Sequence, residues 1–136
     1  MRPIFVDTSG WCAIYDRGDS NHRQALAYWQ ELSKNLGLLY TSEYVLDETL
    51  TLLRLKVGHL AAVQFGDTVL GSEAVDLVSI TKERWHRAWE LFKQCHDQTF
   101  SFTDCTSFIL MKELGLTEVL AFDHHFRQMG FITRPI

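Results

Sequence analysis

Apolar positions along the chain follow two periods, and the alternation between them predicts the elements. Ile4-Phe5-Val6 is a short apolar run suited to a buried strand, and it ends at Asp7. Ser9 to Tyr15 has room for a short helix. Ser20 is placed to cap a helix that carries Ala25, Leu26, Trp29 and Leu32 at helical spacing, with a stop expected near Asn35-Leu36-Gly37. Leu38-Leu39-Tyr40 reads as a second strand, followed by a helix from about Ser42 to Lys56. Gly58-His59 interrupts the pattern before another helical stretch, Leu60 to Leu70, and Val75 to Ile80 alternates as a third strand. Thr81 then caps a helix bearing Trp85, Ala88, Trp89 and Phe92. Thr103 is read as the cap of the next helix, which runs to Leu114 and ends on Gly115. Val119-Leu120-Ala121-Phe122 forms a fourth strand ending at Asp123, and a helical turn and a last strand, Phe131-Ile132-Thr133, complete the series. Short apolar strands alternating with longer helices define an α/β domain with a mainly parallel sheet.

Composition adds little to this picture. The 136 residues, with 46% hydrophobic and 22% charged, fit one domain over 1–136, and no repeat or linker-like segment divides them. The apolar runs are too short for a membrane span, and Asp7 follows the first apolar residues too closely for a secretory leader. Cys12, Cys95 and Cys105 are odd in number and lack C-x-x-C spacing, which favours free thiols and a cytoplasmic protein. The net charge of -4 disfavours a basic surface that wraps nucleic acid. An acidic site loaded with divalent cations would still meet a phosphate.

Four carboxylates carry the candidate chemistry. In an open parallel sheet, ligands bind beyond the carboxyl ends of the strands, and Asp7 and Asp123 each follow an apolar strand. The ordinary alternative for each is a turn or a cap. Glu48 shares a helical stripe with Val45, Leu52 and Leu55, whereas its neighbour Asp47 aligns with Thr51 and Arg54 on a polar stripe. Asp47 therefore has a solvated explanation that Glu48 lacks. Asp104 shares a face with Phe108 and Met111, although an acid in the first turn is also favoured by the helix dipole. Like charges about 4 Å apart repel by about 4 kcal/mol at an effective dielectric near 20. Four such groups facing inward imply protonation or bound cations. An all-oxygen set without a Cys/His cluster selects Mg²⁺ or Mn²⁺, whose natural chemistry is phosphodiester hydrolysis.

These residues, in this order, resemble the PIN domain, and within it the VapC-like toxin ribonucleases of type II toxin–antitoxin pairs. Val6-Asp7-Thr8-Ser9-Gly10-Trp11 is similar to the first motif and Glu48 to the helix-borne Glu. Ser101-Phe102-Thr103-Asp104-Cys105 is similar to the third motif, and Ala121-Phe122-Asp123-His124-His125-Phe126 to the fourth. Phe126-Arg127-Gln128-Met129-Gly130-Phe131 is family-like as well. The resemblance implies a three-layer α/β/α fold, a Mg²⁺- or Mn²⁺-dependent endoribonuclease, RNA as substrate and an antitoxin protein as partner. It implies that Asp7, Glu48, Asp104 and Asp123 are the catalytic and metal-site acids, supported by Thr8 or Ser9 and by Ser101 or Thr103. Other outcomes of the same resemblance are a PIN protein of RNA processing or a catalytically silent binding module.

Competing motifs are missing: no G-x-S-x-G, no G-x-x-x-x-G-K and no G-x-G-x-x-G occurs, and Ser9 stands where a phosphoryl-aspartate hydrolase needs a second Asp. His124-His125 reads as a surface pair opening a helical turn, and Cys95-His96-Asp97 as the frayed end of a helix. Trp85, Trp89 and Phe92, at i, i+4 and i+7, read as core packing rather than base stacking. Leu50, Leu52, Leu53, Leu55 and Val57 cover more than one helix face, leaving a surface for a homodimer or for an amphipathic antitoxin helix. Arg54, Lys56, Arg127 and Arg134 are the cations available to a phosphate backbone, a solvated face being the default for each.

Overall fold

The computed structural model describes residues 3–34 and 38–136. The helices are α1 (Thr8–Tyr15), α2 (His22–Lys34), α3 (Glu43–Lys56), α4 (His59–Gly71), α5 (Lys82–Gln94), α6 (Phe102–Leu114) and α7 (His125–Gln128). The strands are β1 (Ile4–Val6), β2 (Leu39–Ser42), β3 (Val75–Val78), β4 (Glu118–Leu120) and β5 (Ile132–Arg134). The strands form one parallel sheet in the order β3-β2-β1-β4-β5, flanked by helices in a three-layer α/β/α arrangement. From the central β1 the chain builds outward through β2 and β3, then crosses over to β4 and β5. The strand order therefore reverses between β1 and β4, and a crevice at their carboxyl ends is where such a fold accepts a ligand.

Residues 4–6 are wholly buried, as expected of a strand covered on both faces. Trp11 of α1 sits at the centre of the core. Its ring meets Trp29 at 5.4 Å and Phe65 at 5.3 Å, both edge-on. The indole would be costly to bury without a partner, and Nε1–H donates to Thr41 Oγ1 at 3.2 Å. That hydroxyl in turn donates to the Val6 carbonyl at 3.1 Å. One buried relay thus ties α1 to β1 and β2.

Several local readings of the sequence need correction. Ser20 does not cap α2: the first helical bond runs from Ala25 N–H to the Asn21 carbonyl, and Asp19 Oδ1 accepts from Asn21 N–H. The stop expected at Asn35-Leu36-Gly37 lies outside the described residues. The cap of α6 is Ser101 rather than Thr103. Ser101 Oγ accepts from Asp104 N–H at 2.9 Å while Asp104 Oδ2 accepts from Ser101 N–H at 3.0 Å, a reciprocal capping box. Ser42, Thr81 and Gly115 hold the capping positions their residue types suggest, Gly115 at a φ of 70°. Strand β4 is shorter than its apolar run. After Leu120 the backbone leaves β1, and Phe122 N–H donates to the Ser9 hydroxyl instead.

Among the glycines of the described residues, Gly10 makes the tightest approach. A Cβ there would overlap the Leu120 carbonyl and lie 2.6 Å from Leu120 Cδ2. The missing side chain lets α1 press directly on β4, which keeps the segments after β1 and β4 side by side. Gly10→Ala should lower stability by about 1–3 kcal/mol through overpacking. Urea unfolding checks this, and an unchanged midpoint would remove the close-approach explanation.

Candidate metal centre

Asp7 is the N-cap of α1, because β1 ends where the helix must find an acceptor for its first N–H groups. Its Oδ2 accepts from Ser9 N–H at 3.3 Å and from Ser9 Oγ–H at 2.9 Å. The same Ser9 hydroxyl accepts from Phe122 N–H at 3.0 Å, joining the loop after β4 to the start of α1. Asp104 enters from the first turn of α6, held by its capping box. Asp123 lies three residues beyond β4, not immediately after a strand, and its Oδ1 accepts from His125 N–H at 3.1 Å. The three acids arrive from separate elements, two of them at helix N-termini whose dipoles favour negative charge.

His125 is the residue that sequence reading misplaced. It is not a plain surface position: Nδ1–H donates to Asp104 Oδ2 at 2.8 Å, and Nε2 lies 3.3 Å from Thr99 Oγ1. Ligand atoms of Asp104, Asp123 and His125 all lie within 4.8 Å of one another, a group able to hold a metal ion. The only signal in the sequence was its place two residues after Asp123, which does not reveal a partner 21 residues away.

Glu48 lines the same cleft, a cavity of about 260 Å³ shared with Asp7, Asp104 and Asp123. Its stripe differs from the one expected. Leu55, expected on the buried stripe with Glu48, is 77% exposed, and α3 packs on the core through Val45, Thr49 and Leu53. Glu48, Leu52 and Lys56 instead form a row along the cleft wall, while Asp47 is exposed as its polar stripe suggested. Lys56 is the cation among the lining residues, and Asp19 joins the acids at the rim. Of the residues read as supports, Ser9 and Ser101 bond directly to Asp7 and Asp104. Thr8 is buried in the wall with no partner for Oγ1, and Thr103 offers its carbonyl to Thr106 rather than a hydroxyl to Asp104. Arg134 is engaged by Glu118 at 2.7 Å and does not serve the cleft.

The carboxylates share one pattern. In Asp7 and Asp104 the protein's hydrogen bonds fall on Oδ2 and in Asp123 on Oδ1, so among the described residues each keeps one oxygen without a protein donor. Burial first, then the charges of Asp123 and Asp104, pushes the Asp7 carboxyl up to about 8 despite the Ser9 bonds. Burial and Asp104 likewise raise Asp123, opposed by His125. Such a set of hard oxygen donors fits a divalent cation, which would relieve the repulsion. Thiol chemistry fits less well, since burial raises Cys12 to about 11 and Cys105 to about 12.

Comparison with known proteins agrees with this geometry. The PIN domain profile matches residues 4–132. The chain is 38% identical over 133 residues to the 23S rRNA-specific endonuclease VapC20 of Mycobacterium tuberculosis, covering 97% of this chain and 98% of that one. The crystal structure of VapC20, a sarcin-ricin loop cleaving toxin, superposes with a TM-score of 0.87 at 36% identity, over 95% and 96% of the two chains. A VapC ribonuclease of Archaeoglobus fulgidus is 29% identical over 123 residues, 89% of this chain and 77% of that one. A chain in the VapBC2 structure from Rickettsia felis, bound to a promoter DNA fragment, has a TM-score of 0.70 at 10% identity over 97% of both chains, a likeness of fold alone.

The electrostatics have a measurable consequence. Asp7 is raised from 3.8 in the unfolded chain to about 8, so its contribution to stability is full below about pH 4 and is lost as pH rises toward about 8. In chelator, Asp7→Asn should gain melting temperature relative to the parent across that window. A difference that stays flat with pH would show that Asp7 is not strained by its neighbours.

Proposed function

The chain belongs to the PIN-domain family, and on that premise we propose that it is a metal-dependent endoribonuclease acting through Asp7, Glu48, Asp104 and Asp123. The observation that carries the reading is the convergence of Asp7, Asp104 and Asp123 on one cleft, each with one oxygen bonded by the protein and, among the described residues, one left for a cation, with Glu48 on the same wall. Asp104, Asp123 and His125 would form the tightest part of the cation site, with Asp7 and Glu48 completing its acidic wall. Mg²⁺ or Mn²⁺ bound there supplies a water of lowered pKa and offsets the charge that builds on a phosphoryl group.

The chain's own residues do the rest. Ser9 holds the Asp7 carboxylate to the loop after β4, fixing the distance between the two strand ends. His125 and the Ser101 backbone orient Asp104 through Oδ2. Lys56 stands at the cleft to meet the phosphate that the acids alone would repel. Glu48 on α3 and Asp104 on α6 line the same cavity, where a phosphate of the substrate would enter.

Hydrolysis of ribosomal RNA, as the name of VapC20 states for that protein, is the first substrate to test. The domain extends over the single unit 1–136. Among the described residues no helix is long and apolar enough to cross a membrane, and Cys12, Cys95 and Cys105 are unpaired, which suits a reducing cytoplasm. The exposed apolar strip of Leu55, Val57, Leu60 and Val63 at the α3–α4 corner fits the amphipathic helix of an antitoxin, a second copy of the chain being the competing occupant.

Asp7→Asn and Asp104→Asn should each cut an RNA pool on the order of a hundredfold more slowly than the parent, with Asp47→Asn unaffected. If the two carboxamide variants cut as well as the parent, the proposed site is wrong. Millimolar Mn²⁺ or Mg²⁺ should raise the melting temperature of the parent more than that of Asp104→Asn. Equal shifts would place the bound metal elsewhere.

A further inference from the structure

The aromatic residues of α5 were expected in the core, and the structure places two of them outside it. Trp89 is 40% exposed and Phe92 38%, while Ala88 is the fully buried residue of the helix. The rings are ordered among themselves. Trp85 and Trp89 lie 6.1 Å apart at 22°, and Trp89 and Phe92 6.0 Å apart at 19°, a near-parallel row along the helix surface. Phe102 backs the row, 5.1 Å from Trp85 and 5.9 Å from Phe92.

The row leads to the cleft. Phe102 stands in the first turn of α6, two residues before Asp104. Beside Trp89 and Phe92 lies a hollow of about 300 Å³ whose wall includes Lys93, His96, Gln98 and Phe100. The Phe100 ring is 5.4 Å from the ring of His125, the residue bonded to Asp104. Phe100 thus links the hollow to His125, a member of the candidate metal group.

We propose that this hollow and the Trp89–Phe92 row bind an unpaired nucleobase of the RNA substrate next to the phosphate being cut, an inference that rests on the nuclease reading above. Flat faces on a rigid helix match the π-face that every base presents, and stacking of this kind tolerates sequence. A base inside an A-form duplex hides both faces, so the ligand is a single-stranded or looped-out nucleotide. The rim supplies groups for a base edge or its phosphate. Gln98 can donate and accept, His96 adds a ring nitrogen, and Lys93 Nζ sits 5.8 Å from the Trp89 ring. The charge agrees as well. On a chain of net charge -4, α5 carries Lys82, Arg84, Arg87 and Lys93 against Glu83 and Glu90. Glu113 engages Arg84 and Arg87, which leaves Lys93, paired only at the exposed surface with Glu90, as the cation beside the hollow. A purely apolar protein contact would have no use for that polar rim or for the link through Phe100 to His125.

The test uses the Asp7→Asn protein in chelator, so that cutting is slow on the time of the measurement, and a short single-stranded RNA with a twin carrying abasic sugars. Adding Trp89→Ala or Phe92→Ala should weaken binding of the base-bearing RNA by roughly 5- to 150-fold each, the range of one lost base–aromatic stack. Trp89→Phe should restore most of it, and the abasic twin should bind weakly and alike to all variants. Tryptophan fluorescence should quench on binding in the parent and less in Trp89→Phe. Unchanged affinity in the alanine variants, or equal losses for both RNAs, overturns the proposal. So does a result in which Trp89→Ala leaves RNA binding intact but dissociates a dimer, which would make the row a protein interface. Cleavage by the parent is scored separately: a parent that cuts no RNA defeats the nuclease reading, whereas the binding comparison alone decides the base subsite.

Discussion

The mutual repulsion of Asp7, Asp104 and Asp123 in one buried cleft is the constraint around which the rest of the structure is organised. Ionised acids at such distances are costly, and much of the surrounding architecture lowers that cost without neutralising it. The N-termini of α1 and α6 point their dipoles at the cleft. Ser9, the Ser101 backbone and His125 each donate to a carboxylate, but always to the same oxygen of each group. What remains is a demand for positive charge that the protein does not itself meet. Lys56, exposed at the end of α3, is the one cation among the residues that line the cleft. A domain that folds with this deficit gives up some stability for a cleft suited to a cation, the compromise expected of a functional site.

The sheet explains why the deficit lies where it does. Because the strand order reverses at β1, the ends of β1 and β4 are neighbours although their residues are remote in sequence. Gly10 makes the neighbourhood close by allowing α1 onto the β4 backbone. The Trp11–Thr41–Val6 relay then fixes α1 from its other side. Neither feature touches a substrate, yet both set the spacing of the carboxylates. The agreement in fold with VapC20 over nearly the whole chain is consistent with such a frame being held in common.

Much of the frame was legible from periodicity, since a strand that is apolar on both faces and a helix that caps with Ser or Thr leave local traces. The four acids were legible for the same reason, as each lies at a boundary or on a stripe. Choosing Glu48 over Asp47 needed only the geometry of a single helix. The misreadings share a cause. Thr103 and Ser101 both suit a cap, and the choice between them depends on a reciprocal bond that Asp104 makes possible only from Ser101. Leu55 and Trp89 sit on apolar stripes, but a stripe says nothing about which neighbour covers it, and both stay exposed. His125 gained its meaning from Asp104, and Ser9 from Phe122, contacts made by tertiary folding. Fourth-strand length was lost similarly, because a hydroxyl elsewhere in the chain captured the Phe122 N–H.

The Ser9 hydroxyl spans 113 residues of sequence in a single hydrogen bond. Asp7 and Glu48 lie on one side of the chain's midpoint, Asp104 and Asp123 on the other. No fragment on one side of that midpoint therefore holds all four acids. Divided between α4 and β3, the protein would become two parts, one with Asp7 and Glu48 and the other with Asp104, Asp123 and His125. The full acidic wall would form again only when β1 and β4 zip together, which makes the cleft a natural two-part reporter of the domain's own assembly.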